Sequence, residues 1–481
     1  MTLLLTLAGC GGPVVARERT TAEEPGAERL RVPLAAPQSA SEPTQRPNIV
    51  LVLMDDFSMD LLPTMRSAAA MQRAGASYRH SFVIDSLCCV SRASLLTGQY
   101  PHQTGVRTNQ ADAIDGVHPM GGYAAFAAYG NQERSFATRL QEARYTTGFV
   151  GKFLNEYAYL PGGPVPPLPP GWDEFNVLFA TAYDGWGFES SYLQDGQLRI
   201  REHPTPSFDA SVKVKDQSYA GSVISRQALG FIDRHRGDSR PWFLEVAPYA
   251  PHNRAAAVGA WPGEPEYPAM FRDRPGPGHP GGNCGLVPCG ELGVEALPGR
   301  GDGRVDNAVV REDGSTVEPW IGGPVQVTKD KAEAILRDRA RMVQSVDRMV
   351  TRILREVPRN TYVVLTSDNG FHVGQHGLGI GKGAAYDSDI RVPLLVVGPG
   401  VRPGERRQVV SNIDLAPTFE DLAGLRPAPQ RSGASLVPTF SDPDVEGQNY
   451  AFVEHIWSDL AGDPDRPNYA EDKLPSYVAV R

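Results

Sequence analysis

Dense basic stripes are missing from this chain. Its 47 Lys and Arg residues stand against 56 Asp and Glu, a formal charge of -9, so no surface is built to neutralise a phosphate backbone and nucleic acid is excluded as a partner. Long apolar runs are missing too. The stretch 1–12 is too short to span a bilayer, which makes it an address segment and not a spanning helix. Cysteine is scarce, with five in 481 residues, and no Cys or His cluster has the spacing of a zinc site. Internal repeats are absent.

What remains is the composition of a folded protein, 41% hydrophobic and 21% charged. The length predicts two or more domains, or one large α/β domain with an appendage. Leu7-Ala-Gly-Cys10 resembles a bacterial lipobox, although no Lys/Arg segment precedes it. That resemblance implies an exported, extracytoplasmic lipoprotein anchored to the membrane only through acylated Cys10, or else a secreted protein. Residues 11–46 are rich in Ala, Pro, Glu, Arg and Thr without apolar periodicity, and are expected to be a flexible tether. Cys284 and Cys289 are five residues apart in a Gly/Pro-rich stretch; a local disulfide in an oxidising compartment is expected. Cys88 and Cys89 are adjacent. A vicinal disulfide is strained, so at least one of the two has another task.

Several short apolar runs each end in polar residues, the pattern of buried parallel strands covered by helices on both faces. Residues 49–54 lead into Asp55-Asp56, 146–150 into Gly151-Lys152, and 242–247 into the segment reaching His252. Residues 362–366 lead into Ser367-Asp368-Asn369, and 393–397 into Gly398-Pro-Gly400. In open α/β sheets the ligand crevice lies beyond the carboxyl ends of the strands, so these polar residues are expected around one crevice. Over 339–357, Val343, Val346, Val350, Ile353 and Leu354 recur at helical spacing before Pro358, a crossover helix feeding the next strand. Residues 254–325 are Gly/Pro-rich and weakly periodic, a long surface insertion.

Singly, Asp55-Asp56 and Asp368-Asn369 are ordinary turn formers at strand ends. Together they offer four hard oxygen donors, and three crowded carboxylates need a counter-ion such as Ca²⁺ or Mg²⁺. Cys88 stands just before an expected helix. A nucleophile there meets unpaired N–H groups and a favourable dipole, where tetrahedral anions also bind, and Arg92 adds a fixed cation. A buried Cys pair on a turn is the plainer reading of the same segment.

Cys88-Cys-Val-Ser-Arg92, followed by Ala-Ser-Leu-Leu-Thr-Gly-Gln-Tyr-Pro-His, resembles the signature of the type I, formylglycine-dependent sulfatases of the alkaline phosphatase superfamily. Further landmarks follow in that family's order: Pro47 through Asp56, Gly151-Lys-Phe-Leu-Asn-Glu-Tyr157, Ala250-Pro-His252, Thr366 through His372, Gly381-Lys382, Asp389 through Pro393, and Ser411 through Thr418. The form Gly-Lys-aromatic-Leu-Asn is similar to the N-acetylglucosamine-6-sulfatase branch.

The resemblance implies a large mixed, mainly parallel sheet sandwiched by helices. The catalytic domain is then expected over 47–425, and 426–481 as the incomplete start of a C-terminal region. It implies Asp55, Asp56, Asp368 and Asn369 as calcium ligands, with Cys88 completing the shell after oxidation to formylglycine by a formylglycine-generating enzyme. In that family one hydrated-aldehyde oxygen attacks sulfur and the other later expels sulfate. Arg92, Lys152, His252 and Lys382 would hold sulfate and help the alcohol leave; each alone reads as a solvated side chain or a structural His. His372 and His376 are further candidates for substrate contact. The implied reaction is hydrolysis of sulfate esters, on a sulfated sugar or an aryl sulfate.

Two positions depart from the family pattern. Val90 stands where Pro or Ala is usual, and Leu154, followed by Asn155, stands where many sulfatases carry His. Counting from Cys89 would give Arg92 the wrong offset, which keeps Cys88 as the nucleophile. Two other readings stay open: a phosphodiesterase or phosphonate hydrolase of the same superfamily, and a non-catalytic anion-binding lipoprotein in which Cys88 stays unmodified.

Overall fold

A computed structural model of the protein describes residues 46–111, 118–302, 313–315, 326–456 and 476–481. The address segment 1–10 with Cys10, almost all of the tether 11–46 and most of 303–325 lie outside the described residues. Among those described, no helix is long and apolar enough to cross a membrane.

The apolar runs become strands. In chain order they are β1 (Asn48–Met54), β2 (Ala76–Phe82), β3 (Thr146–Gly151) and β4 (Glu174–Val177). A ribbon of β5 (Phe188–Gln194) and β6 (Gln197–His203) follows, then β7 (Trp242–Ala247) and β8 (Thr361–Ser367). β9 (His372–Val373) and β10 (Ile380–Gly381) form a second ribbon, and β11 (Leu394–Val397) and β12 (Gly404–Ser411) return to the main sheet. β13 (Phe452–His455) and β14 (Tyr477–Val480) make a third ribbon.

Eight strands form the central sheet in the order β12-β2-β11-β8-β1-β7-β3-β4. β11 pairs antiparallel with both β2 and β8, and every other pairing is parallel. The α/β class and the mainly parallel sheet therefore stand, but the run 393–397 is corrected: it was expected among the parallel strands and runs against them. Periodicity could not show this, because a strand buried on both faces reads the same in either direction.

Side-chain alternation sends the strands' residues to two helical layers. Ile49, Leu51, Leu53, Phe243 and Ala247 face one core shared with the helices Cys88–Thr97, Phe136–Glu142 and Leu415–Leu422. There Phe243 packs edge-on against Phe136 at 5.2 Å. Trp242 points the other way, onto Phe231 of the helix Ala220–His235. Beside that helix, Lys329–Glu356 runs 28 residues, started by the Thr328 hydroxyl, which accepts from Lys331 N–H. It begins ten residues before the 339–357 stretch read from spacing, and its first turns bury Ala332, Ile335 and Leu336 at the same helical spacing. The segment 254–302 holds no α-helix or strand. Instead of merely overlying the surface it buries Trp261, Tyr267, Met270 and Leu292. Cys284 and Cys289 are joined as a disulfide.

Parallel direction and register bring distant strand ends level. Met54 lies opposite Ser367, and Gly151 opposite Ala247. Gly151 itself takes φ +117°, and a Cβ there would stand 2.0 Å from the Ala247 carbonyl oxygen. Only glycine lets β3 approach β7 so closely just before Lys152. Gly151→Ala is expected to destabilise the protein by about 2 kcal/mol or more, read as a lower urea midpoint, and to displace Lys152, read as a drop in kcat.

Candidate active site

The parallel strands deliver their polar residues to one edge. Asp55 and Asp56 follow β1, Lys152 follows β3, His252 lies five residues beyond β7, and Asp368 and Asn369 follow β8. Lys382 arrives on the β9–β10 ribbon, where Gly381 pairs with His372. Cys88 opens the helix Cys88–Thr97, which is capped by no side chain at Leu87. All the residues singled out for catalysis or metal binding are buried.

They meet. Lys152 Nζ donates to Asp55 Oδ2 at 2.8 Å, and Lys382 Nζ to Asp56 Oδ1 at 2.6 Å. Arg92 Nε donates to Asp368 Oδ2 at 2.8 Å. Three carboxylates thus alternate with three permanent cations. Cys88 Sγ accepts from Lys382 Nζ at 2.7 Å and lies 3.5 Å from Asp55 Oδ1. His252 directs Nε2 toward Asp56 Oδ2, 3.7 Å away, while Nδ1 donates to the Asn253 carbonyl at 2.8 Å. One ligand atom from each of Asp55, Asp56, Cys88 and His252 falls within 4.8 Å of the others.

Two acceptor atoms are orphaned: Asp56 Oδ2 and Asn369 Oδ1 are buried without a hydrogen-bond donor. An unsatisfied buried acceptor costs on the order of 1–3 kcal/mol, and a hard divalent cation would satisfy both. The donor set therefore fits an oxygen-preferring metal. Asp56 also adopts φ +60°, which a carboxylate residue tolerates better than most, and which turns its side chain back into the cluster. Arg339, fully buried, donates to the Asp56 carbonyl and holds this bend.

Electrostatics separates the carboxylates. Burial alone would raise Asp55, but Lys152, His252, Arg92 and Lys382 outweigh it and hold that carboxyl well below the usual range. Burial and the nearby Asp55 push Asp368 up to about 6 against the pull of Arg92, Lys152 and Lys382. Lys152 is held charged by Asp55 despite its burial, with Nζ 5.1 Å over the Tyr183 ring. Burial pushes the Cys89 thiol up to about 12.

Val90 fills an apolar cluster with Ile84, Leu87 and Ile413. It is the third residue of its helix, where the N–H has no intrahelical acceptor, so neither Val nor Pro costs the helix a hydrogen bond there. Asn155 lies beside Cys89, with its Oδ1 buried and unpaired. His372 is buried and engages Asp389 through Nδ1 at 2.8 Å. His376 instead stacks on Tyr386 at 3.8 Å and faces Asp302.

Sequence reasoning missed Arg339, Tyr183 and Glu245. Each of the two charged residues interrupts an apolar pattern, Arg339 on a helix stripe and Glu245 inside Trp-Phe-Leu-Glu-Val-Ala, and that break was the available signal. Among the described residues, Arg92 is the charge that acts on Glu245. Glu245 Oε2 and Arg92 Nη2 are both buried without partners.

A sulfatase family model matches residues 47–425. The chain is 30% identical to N-acetylglucosamine-6-sulfatase of Homo sapiens, over 82% of this chain and 64% of that protein. It is 30% identical to an extracellular sulfatase homologue of Drosophila melanogaster, over 83% of this chain and 32% of that one. The chain thus spans about a third to two thirds of the length of these curated relatives. Among solved structures, one described in complex with its substrate D-glucosamine-2-N,6-O-disulfate superposes with TM-score 0.59 at 19% identity, covering 91% of this chain and 87% of that one. A phosphonate monoester hydrolase of Silicibacter pomeroyi gives TM-score 0.59 at 19% identity, covering 88% and 82%. Both likenesses concern the fold.

Burial raises the Glu245 carboxyl to about 7. A raised carboxyl binds its proton more tightly when folded, so its stabilising contribution is present below the unfolded value near 4.5 and is lost as pH rises through about 7. Glu245→Gln should therefore match the wild type near pH 4 and exceed it by on the order of 2 kcal/mol near pH 8, measured by urea denaturation at both pH values.

Proposed function

This chain belongs to the sulfatase family, and from that premise we propose that it hydrolyses sulfate esters of sugars, with Cys88 converted to formylglycine as the nucleophile. The supporting observation is the alternation of Asp55, Asp56 and Asp368 with Lys152, Lys382 and Arg92 around Cys88. The three pairs cancel in charge, so a divalent cation makes the crevice net positive and suited to a sulfate monoester.

In this reading Asp55, Asp56, Asp368, Asn369 and modified Cys88 hold Ca²⁺, with Mg²⁺ as the other hard cation that the oxygen set accepts. The metal would supply Lewis acidity toward the sulfate oxygens and the nucleophile. Formylglycine would supply a hydrated aldehyde. The chain's own groups do the rest. Arg92 is fixed by Asp368 and by the Lys152 carbonyl, and presents a rigid guanidinium to sulfate. Lys152 and Lys382, paired here with Asp55 and Asp56, are the ammonium groups that would face the sulfate oxygens once those carboxylates held a cation. His252, whose Nδ1 is tied to the Asn253 carbonyl, offers Nε2 as the proton donor to the leaving alcohol.

The substrate class follows from relatives named for N-acetylglucosamine 6-sulfate, and aryl sulfates would serve as artificial substrates. The modification requires a formylglycine-generating enzyme acting on Cys88-Cys-Val-Ser-Arg92. Export fits the Cys284–Cys289 disulfide and the extracellular relative; a lipid anchor at Cys10 is the tethered form of the same reading.

Mass spectrometry of the Cys88 peptide from the native host should find the aldehyde. Cys88→Ala should lower kcat on a sulfated glucosamine at least about 10³-fold; Cys88 recovered wholly as thiol in a protein that still turns over sulfate esters would overturn the proposal. Parallel assay of a phosphate diester should give the lower kcat/KM, and the reverse order would favour a phosphonate hydrolase. Chelation should abolish activity and lower Tm, with Ca²⁺ restoring both.

A further inference from the structure

One aromatic ring touches two of the crevice's charged or titratable groups at once. Tyr183 stands in the helical turn Ala180–Asp184, which links the edge strand β4 to the β5–β6 ribbon. Its ring centroid is 4.5 Å from that of His252, with the planes tilted by 49°, and the Lys152 ammonium lies 5.1 Å over it. Ring pairs interact at roughly 4.5–7 Å, and a cation within about 6 Å of a ring centroid is attracted to its face. Tyr183, His252 and Lys152 are 5%, 1% and 3% exposed, so both contacts are made away from bulk water.

The ring is itself mounted. Tyr249 packs edge-on against it at 4.5 Å and is anchored by donating from its hydroxyl to the Leu178 carbonyl at 2.6 Å. Asp184, the next residue, accepts from Ala256 N–H at 3.0 Å, which ties the turn to the segment that follows His252. Gly185, at φ +82°, closes the turn, and its carbonyl accepts from Ala220 N–H at 2.8 Å.

The two groups that the ring touches need different help. The Lys152 ammonium is paired with Asp55, a carboxylate that a metal would also claim; a π face attracts the ammonium without competing for that metal. The His252 imidazole donates from Nδ1 to the Asn253 carbonyl. A hydrogen bond at one nitrogen fixes that atom but not the plane of the imidazole, whereas a ring packed against it restricts the plane.

We propose that Tyr183 is a positioning residue for the reaction, its ring holding the imidazole of His252 and the ammonium of Lys152 in fixed relation to each other, so that the proton donor stands beside the bound anion. This rests on the sulfatase reading, in which the oxygen released as its bond to sulfur breaks takes a proton from His252 Nε2. The alkoxide oxygen of a sugar needs that proton, and a nitrophenolate leaves without it. Loss of the ring therefore weighs more on a sugar sulfate than on an aryl sulfate. Weaker anion binding or a looser fold would burden both esters alike.

The test compares N-acetylglucosamine 6-sulfate with 4-nitrophenyl sulfate in the full chain carrying Tyr183→Phe, Tyr183→Met or Tyr183→Leu, with a urea midpoint taken for each variant. Phe keeps the ring; Met and Leu fill the space without one, and either serves if the other does not fold. Positioned proton transfer contributes about 10²–10⁴-fold. The Met and Leu variants should therefore lose kcat/KM on the sugar sulfate at least about 10-fold further than on the aryl sulfate, while Phe stays within about 3-fold of the unmutated enzyme on both. Equal losses on the two esters would overturn the proposal. So would a Phe variant that falls as far as Met, which would assign the effect to the hydroxyl. Turnover of neither ester by the unmutated enzyme would instead sink the sulfatase reading. The ring contact is then read at fixed pH from the His252 ring-proton resonances, which should move in Tyr183→Met and hold in Tyr183→Phe; resonances unmoved in Tyr183→Met would overturn it.

Discussion

Three carboxylates crowded at one sheet edge set the terms for everything around them. Buried like charges repel strongly, so Asp55, Asp56 and Asp368 can share that edge only because Lys152, Lys382 and Arg92 come to them from three separate parts of the chain. Each cation is carried by its own device: a glycine-terminated strand, a two-stranded ribbon and the helix that opens at Cys88. The orphaned oxygens of Asp56 and Asn369 mark where this balance is still incomplete. A hard divalent cation would satisfy both. The sheet's direction makes this balance possible, because parallel strands bring their carboxyl ends level across β8, β1, β7 and β3.

Much of this was legible from residues. The runs at 49–54 and 242–247 ended in polar residues because a buried strand must become polar where it emerges, and the structure ends its strands within a residue of those points. The residues singled out for catalysis and metal binding arrive there, since the rule that ligands gather beyond strand carboxyl ends depends on topology and not on fine geometry; Gly398-Pro-Gly400 does not, because antiparallel β11 sets Val397 opposite Val363 and ends at the other edge. The direction of β11 was not legible, because a doubly buried strand carries no sign of its orientation. Residues 254–302 read as surface because glycine and proline masked the periodicity, yet a chain without regular elements can still bury Trp261 and Tyr267.

Second-layer groups were the least legible. Arg339 acts through a backbone carbonyl, and no spacing rule announces such a contact. Glu245 sits mid-strand between Phe243 and Ala247, where the residue type conflicts with its surroundings; such conflicts are found where a neighbouring group, here Arg92, has needs of its own.

The twin sulfurs at the head of one helix are chemically unequal. Cys88 Sγ touches a lysine ammonium, whereas Cys89 turns into an apolar core that suppresses its ionisation. Of the two buried thiols only Cys88 therefore stands among the charges of the crevice, and its neighbour is mute. Duplication of the residue brings no ambiguity of outcome, because the fold has silenced one of the pair.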